Sequence, residues 1–532
     1  MSRCCPAAPL PRCPADFVLP ILTPEQSAAW DHKAVAAGVE LATLMECAGR
    51  AVVAVLAPRF ATRLSEGVLV AAGPGHNGGD GWVVARALHR LDVPVWVTSP
   101  DGAGAPLREH MAGLARVEGV REVAPDGPWP RVGLVVDALL GTGASGPPRL
   151  PVAALLDRLL DLELPVVAVD GPTGVDLLSG NVHGAPRADL TVTFGGLHRG
   201  HLLARDEVGT VVVADIGHPP AEPEWPTLVS DRDGATWLPR LHARDHKGTR
   251  GRVVVVGGDV GMTGAVRMAA RAAFAAGAGL VHAVAPAETV AALVQAEPDL
   301  QTLAHSFDHD PSPQLQELVS RADAVIVGPG LGRAPGRRAL VTALAEAAQA
   351  VVLDADALVA FQGAVEELRL LANGRRVVLT PHPGEFRTLF PELASEREVD
   401  PWGAAAAAAG RTAAVVLLKG VPSVVASAGR PPLTVASGNP GLATGGSGDV
   451  LSGLIGAALA RGIEPEVAAA LGAQALGRGA DFAARRVSAR SLRPMDVIAA
   501  LPDLWREWEL LRRSPPPPVP PILLELPRPQ TS

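Results

Sequence analysis

The chain has 532 residues, a formal net charge of -8 and 48% hydrophobic residues, a composition typical of a folded globular protein. Its 57 glycines and 50 prolines stay below the combined share that marks low-complexity disorder. Tyrosine is absent and aromatic residues make up only 3% of the sequence, so no phenol can serve as an acid, a base or a nucleophile. The acidic charge and the scarcity of aromatic rings argue against a nucleic-acid partner.

The cysteines all lie near the N-terminus, at Cys4, Cys5, Cys13 and Cys47, so no disulfide framework is expected and a reducing, cytoplasmic location fits best. Cys4, Cys5 and Cys13 could bind a metal ion, but we favour a disordered extension over residues 1–16. No signal peptide is indicated, and no apolar run reaches the roughly 18 residues of a membrane span. A membrane partner is therefore not expected.

An α/β pattern extends from residue 17 to residue 220. The predicted strands are rich in valine and apolar on both faces, as in a parallel sheet covered by helices on each side. They span residues 67–72, 93–98, 132–138, 165–169, 190–194 and 210–215, and a helix is predicted over residues 80–91. The pattern predicts a doubly wound α/β domain.

A proline-rich stretch that begins at His218 can continue neither a helix nor a central strand, so we predict a linker over residues 221–232. A second α/β domain is predicted over residues 233–505. Its strands are expected at 252–256, 280–285, 324–327, 350–353, 377–380 and 413–418, and a helix at 449–460. The run Ala404–Ala409 predicts a surface helix, and the proline-rich tail over residues 514–532 is expected to be disordered or extended.

The segment GPGHNGGDGWVVAR, residues 73–86, joins a predicted strand to a predicted helix. Its glycines let the backbone approach a ligand, and the start of the helix supplies amide donors for an anion. The segment is neither a Rossmann G-x-G-x-x-G loop nor a Walker loop. Asp137, Asp170 and Thr173 follow later predicted strands, and the carboxyl ends of parallel strands meet at one edge of a sheet.

These polar residues suggest two kinds of chemistry. Asn77, Asp137 and Thr173 offer oxygen ligands for a monovalent or divalent cation, although capping of helices and turns is the alternative explanation. Asp170 is the candidate proton shuttle, because burial can raise the pKa of a carboxylate towards neutrality. The alternative for Asp170 is a turn into Gly171 and Pro172.

Over residues 22–217 these motifs resemble the NAD(P)H-hydrate epimerase family, known for a G-x-G-N-N-G-G-D-G loop and a D-x-P-S-G motif. The resemblance implies a Rossmann-like domain that interconverts the R and S forms of hydrated NADH and NADPH (NADHX and NADPHX), with potassium held by Asn77, Asp137 and Thr173. The implied substrate contacts are His76, Asn77, Gly78, Gly79, Asp80, Gly141, Thr142, Gly143, Ala144, Ser145, Gly146, Pro147 and Asp170. His76 and Cys47 stand where the family usually has Asn, which leaves a binding or scaffold module as the alternative.

The segment NPGLATGGSGDVLSG, residues 439–453, carries the most specific chemical signal. The amides of Gly446, Ser447 and Gly448 are predicted to converge on an anion at the start of a helix, beside Asp449. An aspartate beside an anion hole suits phosphoryl transfer, in which it accepts the proton of the attacking hydroxyl. The alternative is a helix N-cap. The turn resembles that of the ribokinase-like superfamily.

Further motifs narrow this resemblance. They are HKGTRGRVVVVGG from His246, GPGLG from Gly328, DADAL from Asp354, LTPHPGE from Leu379 and LLKGVPSVV from Leu417. In this order they are similar to the ADP/ATP-dependent NAD(P)H-hydrate dehydratase family over residues 241–502. The resemblance implies that Ala265, Gly330, His382 and Asp449 contact the hydrated dinucleotide, and that Lys419, Gly420, Val421, Pro422, Ser423 and Gly448 bind the adenine nucleotide.

Together the resemblances imply a Rossmann-like doubly wound domain followed by a ribokinase-like α/β domain, in a bifunctional nicotinamide-repair enzyme. ADP would phosphorylate the hydroxyl of the S hydrate, and loss of phosphate would regenerate NAD(P)H and leave AMP. Magnesium is expected with the ADP, although the sequence does not separate ADP from ATP. The expected partners are NADHX, NADPHX and ADP, and a homo-oligomer is compatible with the sequence. The alternative is a small-molecule kinase of the ribokinase superfamily with a non-catalytic N-terminal module.

Overall fold

The structure is a computed structural model that describes residues 19–102, 104–514 and 523–530. It divides into two compact units. The N-terminal unit contains the described parts of 17–225 and 517–528, and the C-terminal unit contains the described parts of 226–516. The predicted extension over residues 1–16, with Cys4, Cys5 and Cys13, lies outside the described residues.

The described residues of the N-terminal unit up to residue 225 form nine strands and seven helices. The strands are β1 (Ile21–Leu22), β2 (Val68–Ala72), β3 (Val95–Thr98), β4 (Arg121–Glu122), β5 (Leu134–Ala138), β6 (Val166–Val169), β7 (Leu190–Phe194), β8 (Leu197–His198) and β9 (Thr210–Ala214). The helices are α1 (Pro24–Ala36), α2 (Leu41–Arg59), α3 (Ala61–Leu64), α4 (His76–His89), α5 (Pro106–Val117), α6 (Val152–Leu160) and α7 (Arg199–Leu203).

The C-terminal unit follows the same alternation. Its strands are β10 (Thr227–Leu228), β11 (Arg252–Val256), β12 (Leu280–Ala285), β13 (Gln301–Ala304), β14 (Ala324–Val327), β15 (Ala350–Leu353), β16 (Arg376–Leu379), β17 (Val415–Leu418), β18 (Ser423–Ala426) and β19 (Leu433–Val435). Its helices are α8 (Asp231–Trp237), α9 (Thr263–Ala275), α10 (Ala287–Ala296), α11 (Pro313–Ser320), α12 (Arg337–Ala347), α13 (Asp356–Val359), α14 (Val365–Ala372), α15 (Pro383–Leu389), α16 (Ala394–Val399), α17 (Pro401–Thr412), α18 (Ser447–Ala460), α19 (Pro465–Val487) and α20 (Pro494–Arg513). One more strand, β20 (Leu523–Leu526), belongs to the N-terminal unit.

The sheet of the N-terminal unit has the order β20-β9-β7-β6-β5-β2-β3-β4. Its strands are parallel except for β20, which runs antiparallel to β9. Strand β2 is buried along its whole length, as expected for the centre of a sheet covered on both faces. The order of strands reverses between β2 and β5, and such a switch point opens a crevice for ligands at the carboxyl edge.

The C-terminal sheet has the order β10-β19-β18-β17-β16-β15-β14-β11-β12-β13, in which only the pairs formed by β18 are antiparallel. Its switch point lies between β11 and β14. Helix α18 packs closely on α9, because a Cβ at Gly453 would lie 2.2 Å from the carbonyl oxygen of Ala269. This close approach fixes the start of α18 relative to the carboxyl edge of the sheet.

Helix α2 is long and apolar enough to cross a membrane by length and composition alone. Its apolar side chains, including Leu44, Val52 and Leu56, are buried in the core of the N-terminal unit. Among the described residues no other helix meets the same test.

Two sequence-based predictions need correction, and a third becomes more specific. Residues 221–232 are not all linker, because Thr227–Leu228 pair with β19 and helix α8 begins at Asp231. The tail, expected to be disordered or extended, contains the extended strand β20, which is held in register against β9. The alanine-rich helix α17 is not a surface helix, since Ala404, Ala405, Ala408 and Ala409 are all buried.

Candidate active sites

The glycine-rich loop of the N-terminal unit lies between β2 and α4, at the switch point. A Cβ at Gly73 would lie 1.8 Å from the carbonyl oxygen of Leu139, and a Cβ at Gly78 would lie 1.9 Å from that of Gly73. Only glycine fits at these positions. The loop therefore holds the start of α4 directly against the segment that follows β5.

Asp137 and Thr173 form a buried pair beside this loop. The Thr173 hydroxyl donates to Asp137 Oδ1 at 2.7 Å, and the Thr173 amide donates to Asp137 Oδ2 at 2.7 Å. Burial raises the pKa of Asp137, against the lowering effect of hydrogen bonds from Thr173 and Leu139. Neither polar atom of the Asn77 side chain has a hydrogen-bond partner among the described residues, although both are buried.

Gly141 connects this region to Asp170. A Cβ at Gly141 would lie 3.0 Å from Asp170 Oδ2 and 3.1 Å from Asn77 Cγ, so the three residues surround one space. The amide of Thr142 donates to Asp170 Oδ2 at 2.9 Å, and its hydroxyl donates to the same oxygen. The structure thus brings the predicted residues Asn77, Gly141, Thr142 and Asp170 together at the carboxyl edge of the sheet.

Asp170 follows β6 in the left-handed region, with φ of 66°. Its amide donates to the Val192 carbonyl at 2.7 Å, and Thr193 Oγ1 donates to its Oδ1 at 3.0 Å. His198 Nε2 lies 3.3 Å from the same oxygen, and His201 Nε2 lies 2.7 Å from the Asp170 carbonyl oxygen.

The ionisation of Asp170 differs from the prediction. Burial alone would raise its pKa, but the charge of His198 and hydrogen bonds from His198 and Thr142 outweigh burial and lower the pKa below its ordinary value. The predicted shift towards neutrality is therefore wrong. Asp80 behaves in the opposite way, because burial and the charges of Asp170 and Asp31 raise its pKa well above the ordinary value.

The remaining predicted contacts vary in exposure. His76 opens α4 and is exposed, whereas Gly78 and Gly79 are buried in its first turn. After Gly141 the chain turns, with the Ala144 amide donating to the Gly141 carbonyl at 3.0 Å. Gly143, Ser145 and Pro147 are exposed, and Ala144 and Gly146 are half-buried. Cys47 is a free, exposed cysteine.

In the C-terminal unit, Asp354, Thr380 and Lys419 each follow directly after a strand, namely β15, β16 and β17. Lys419 Nζ and Thr380 Oγ1 both donate to Asp354 Oδ1 at 2.8 Å, and Ser452 Oγ donates to Oδ2 at 2.6 Å. Burial opposes ionisation of Asp354, yet Lys419 and these hydroxyls lower its pKa. Asp354 and Lys419 therefore form a buried ion pair.

Asp449 lies in the first turn of α18, next to this pair. A Cβ at Gly448 would lie 3.2 Å from Lys419 Nζ, so the glycine-rich turn touches the lysine. Gly446 precedes the helix with φ of 100°, which favours glycine. Burial and the nearby charge of Asp354 raise the pKa of Asp449 to about 7, although Lys419 acts against them. Asp449 is thus poised to exchange a proton near neutral pH.

His382 and Glu385 extend the cluster. His382 Nδ1 accepts the Gly384 amide at 3.0 Å, so the proton lies on Nε2, which is 3.2 Å from Glu385 Oε1. Glu385 Oε2 lies 4.0 Å from Lys419 Nζ. Burial raises the pKa of Glu385, against the charge of Lys419. His382 therefore joins the Lys419 cluster through Glu385.

Two other predicted contacts meet at the switch point. A Cβ at Gly330 would lie 2.8 Å from Met262 Cβ and 3.2 Å from Ala265 Cβ, so Gly330 and Ala265 are neighbours. In the predicted nucleotide loop, the Lys419 amide donates to the Pro381 carbonyl at 2.9 Å and Ser423 Oγ donates to the Gly420 carbonyl at 3.2 Å. Gly420 is exposed, Val421 is 75% exposed and Pro422 is buried.

Several site residues were missed from the sequence: Thr193, His198 and His201 in the N-terminal unit, and Asp354, Thr380, Glu385 and Ser452 in the C-terminal unit. Asp354, Thr380 and Glu385 lie within the motifs DADAL and LTPHPGE, so their position after predicted strands was an available signal. His198 and His201 carried no such signal, because His198 ends the short strand β8 and His201 lies in the short helix α7, neither of which the sequence predicted.

Comparison with known proteins agrees with this division. Residues 253–503 match the family described as NAD(P)H-hydrate dehydratase, and residues 41–200 match the family described as YjeF-related protein N-terminus. The bifunctional NAD(P)H-hydrate repair enzyme Nnr of Escherichia coli (strain K12) is 36% identical over 448 residues, which cover 81% of this chain and 84% of that one. The enzyme of the same name from Moorella thermoacetica is 35% identical over 88% of this chain and 92% of its own.

A solved structure of the ADP/ATP-dependent NAD(P)H-hydrate dehydratase from Bacillus subtilis, co-crystallized with ATP/Mg²⁺, is 25% identical, with a TM-score of 0.45. It covers 53% of this chain and 98% of the Bacillus chain.

Fold and site together define an enzyme of two α/β units, with a doubly wound unit followed by a second α/β unit that matches the dehydratase family. The chain belongs to the family of bifunctional NAD(P)H-hydrate repair enzymes, which combine an epimerase (isomerase) and a dehydratase (lyase). The alternative of a small-molecule kinase with a non-catalytic N-terminal module is not supported by these relatives.

Proposed function

We propose that Asp449 is the catalytic base of the dehydratase and that ADP is the phosphoryl donor. The observation that carries this proposal is the position of Asp449 in the first turn of α18, beside Lys419, with its pKa raised to about 7 by burial and Asp354. A carboxylate with such a pKa can take the proton of a hydroxyl and release it again near neutral pH. The amides at the start of α18 would steady the phosphoryl group.

The reaction then proceeds in two steps on the S hydrate. Asp449 accepts the proton of the hydroxyl on carbon 6 as that oxygen attacks the terminal phosphorus of ADP, and AMP leaves. The lone pair of the ring nitrogen next expels phosphate from carbon 6, and loss of the neighbouring carbon-bound proton restores the double bond of NAD(P)H. Phosphate leaves where hydroxide would leave poorly.

The nucleotide and the hydrated dinucleotide have separate binding regions in this proposal. Lys419 to Ser423 and Gly448 bind ADP, supported by the contact between Gly448 and Lys419 Nζ. Ala265, Gly330 and His382 bind the hydrated dinucleotide, supported by the adjacency of Ala265 and Gly330 at the switch point. Magnesium would enter with the phosphates of ADP and offset their charge.

For the epimerase, we propose that residues 76–80 and 141–147 hold the hydrated dinucleotide and that Asp170 contacts its reacting part. Potassium would be held by Asn77, Asp137 and Thr173, and it would supply positive charge beside the buried Asp137. The residues fit such an ion, because the Asn77 side chain is buried without a partner among the described residues, and the groups that donate to the Asp137 carboxylate are the neutral amides of Leu139 and Thr173 and the Thr173 hydroxyl. We further propose a cytoplasmic location and small-molecule partners only.

A product assay tests the dehydratase proposal. Purified S hydrate is incubated with the full chain, magnesium and either ADP or ATP, while the near-ultraviolet absorbance of reduced nicotinamide and the release of AMP are followed. One AMP and one phosphate per NAD(P)H regenerated are expected with ADP. Accumulation of a stable phosphorylated hydrate, or equal turnover without a nucleotide, would contradict the proposal.

A further inference from the structure

His198 and His201 lie directly behind Asp170, at the start of α7. Both are buried, with 1% and 0% of their surface exposed. The His198 amide donates to His201 Nδ1 at 3.0 Å, so His201 carries its proton on Nε2 and donates to the Asp170 carbonyl at 2.7 Å. The two histidines thus contact the backbone and the side chain of the same aspartate.

The backbone contact stabilises an unfavourable conformation. Asp170 has φ of 66°, which a residue with a side chain rarely adopts. Its amide is held by the Val192 carbonyl and its own carbonyl is held by His201. The turn after β6 is therefore fixed from both sides, which aims the Asp170 carboxylate in one direction.

The carboxylate is fixed as well. Oδ2 accepts from Thr142, and Oδ1 accepts from Thr193 Oγ1 at 3.0 Å and lies 3.3 Å from His198 Nε2. Among these contacts, only His198 can bring a positive charge to Asp170, and an opposite charge at this distance favours the ionised carboxylate.

We propose that His198 is a positioning residue for epimerisation, which keeps Asp170 ionised and oriented, and that His201 is the neutral support that holds both residues in place. This inference rests on the proposed role of Asp170 as the residue that contacts the reacting part of the substrate. In this inference Asp170 acts on the substrate as an ionised carboxylate supported by His198, and not as a protonated carboxylic acid.

A purely structural role does not explain His198 equally well. Its Nδ1 is buried and has no hydrogen-bond partner among the described residues, which is an unfavourable state for a side chain that only fills space. Burial and the charge of His198 lower the pKa of His201 to about 3, so His201 stays neutral near pH 7.

Other charged groups near the pair are Asp80, whose pKa is raised by the charge of Asp170, and Arg205, whose charge acts on His201. Arg205 brings its charge to the back of His201 and lowers its pKa further, which also favours a neutral His201. Asp80 has a raised pKa and does not provide a positive charge. His198 is therefore the partner whose replacement is expected to change Asp170.

The test compares His198→Gln, His198→Lys and Asp170→Asn in the full chain, by kcat, KM and the pH profile of R to S conversion. Glutamine removes the charge, so kcat is expected to fall by roughly 10²-fold with little change in KM. The acid limb of the profile should move up by about 1–3 pH units, because Asp170 loses its opposite charge. The His198→Lys variant keeps a positive charge at this position, so it should recover most of the rate, and its acid limb should return to low pH.

His218→Gln is the matched control, because His218 Nε2 also contacts an aspartate, Asp31 Oδ1, at 2.8 Å in the same unit. Its loss should affect stability while the pH profile stays that of the wild type. Dehydration of purified S hydrate checks the C-terminal unit in every variant.

The outcomes separate the two claims. If Asp170→Asn epimerises at the wild-type rate, the proposed role of Asp170 is wrong. If Asp170→Asn is inactive but His198→Gln keeps the wild-type acid limb, the inference about His198 is overturned. If His198→Gln unfolds the N-terminal unit, the double variant His198→Gln with Asp170→Asn tests the inference instead. This variant also removes the charge of the Asp170 carboxylate, which is the charge that the His198 imidazole is proposed to stabilise. The double variant folds if the inference is right and remains unfolded if His198 only fills space.

Discussion

Each unit carries an aspartate at the carboxyl edge of its sheet, Asp170 in the N-terminal unit and Asp449 in the C-terminal unit. The surroundings shift the pKa values of these two aspartates in opposite directions. Asp170 is surrounded by donors, with two threonines and His198 on its carboxylate, and its pKa is lowered. Asp449 lies near the carboxylate of Asp354, and its pKa is raised to about 7. The position at the sheet edge therefore does not set the ionisation of a carboxylate; its neighbours do.

Within the C-terminal unit the same contrast recurs between two aspartates. Lys419 and two hydroxyls hold Asp354 as the ionised member, and the charge of Asp354 then raises the pKa of Asp449. Pairs of carboxyl groups whose pKa values are pushed apart are a common basis for acid and base roles. The charge of Asp354 thus raises the pKa of Asp449, the proposed base, while Lys419 acts against it.

Replacing Asp449 by Asn should sharpen this comparison most. Because the base is removed while the shape is kept, dehydration of the S hydrate should slow by roughly 10²–10⁴-fold. Epimerisation, measured as the conversion of the R hydrate to the S hydrate in the same preparation, should keep its rate. A variant that still dehydrates at the wild-type rate would show that another residue is the base.

Lys419→Met tests whether the Asp354 charge depends on the lysine. Removal of one partner leaves a buried charge without its counter-charge, which typically lowers the free energy of unfolding by roughly 3–5 kcal/mol. Denaturant unfolding of the C-terminal unit measures this loss. The double variant with Asp354→Asn should recover most of it, and equal loss in both variants would contradict the assignment of a coupled pair.

Removal of residues 523–532 should affect the units differently. Strand β20 covers the edge strand β9, with ion pairing between Arg59 and Glu525 and a bond from Arg528 Nη2 to the Ala188 carbonyl at 2.7 Å. Loss of a few net hydrogen bonds should lower the free energy of unfolding of the N-terminal unit by about 2 kcal/mol. Dehydration should not change, and Glu525→Gln should cost at most about 1 kcal/mol. Unchanged unfolding of the N-terminal unit would mean that β20 does not stabilise it.

Much of the fold could be predicted because most central strands are continuous apolar runs between glycine-rich turns. Residues 252–256 and 324–327 agree with β11 and β14. Strands with little apolar signal were missed: β13 is partly exposed, and β20 lies in a segment that reads as a proline-rich tail. A strand that depends on pairing with a distant edge has no local pattern to reveal it.

The site was predictable where a motif placed the chemistry within one short segment, as with Asp449 beside Gly448. The ionisation of Asp170 was not, because it depends on His198 and Thr142, which lie on other segments of the chain and are remote in sequence. Sequence spacing identified the carboxylate, but only the fold shows whether donors or other carboxylates surround it.

The pH dependence of both reactions in one enzyme preparation tests the central claim most directly. In the proposed mechanism dehydration needs Asp449 as the carboxylate, so its kcat/KM should rise with pH through about 7, the raised pKa of Asp449. Epimerisation should show no acid limb near 7, because the pKa of Asp170 is lowered and the group stays ionised there. Coincident acid limbs near pH 7, or a limb only in epimerisation, would contradict the claim that the two units prepare their aspartates in opposite ways.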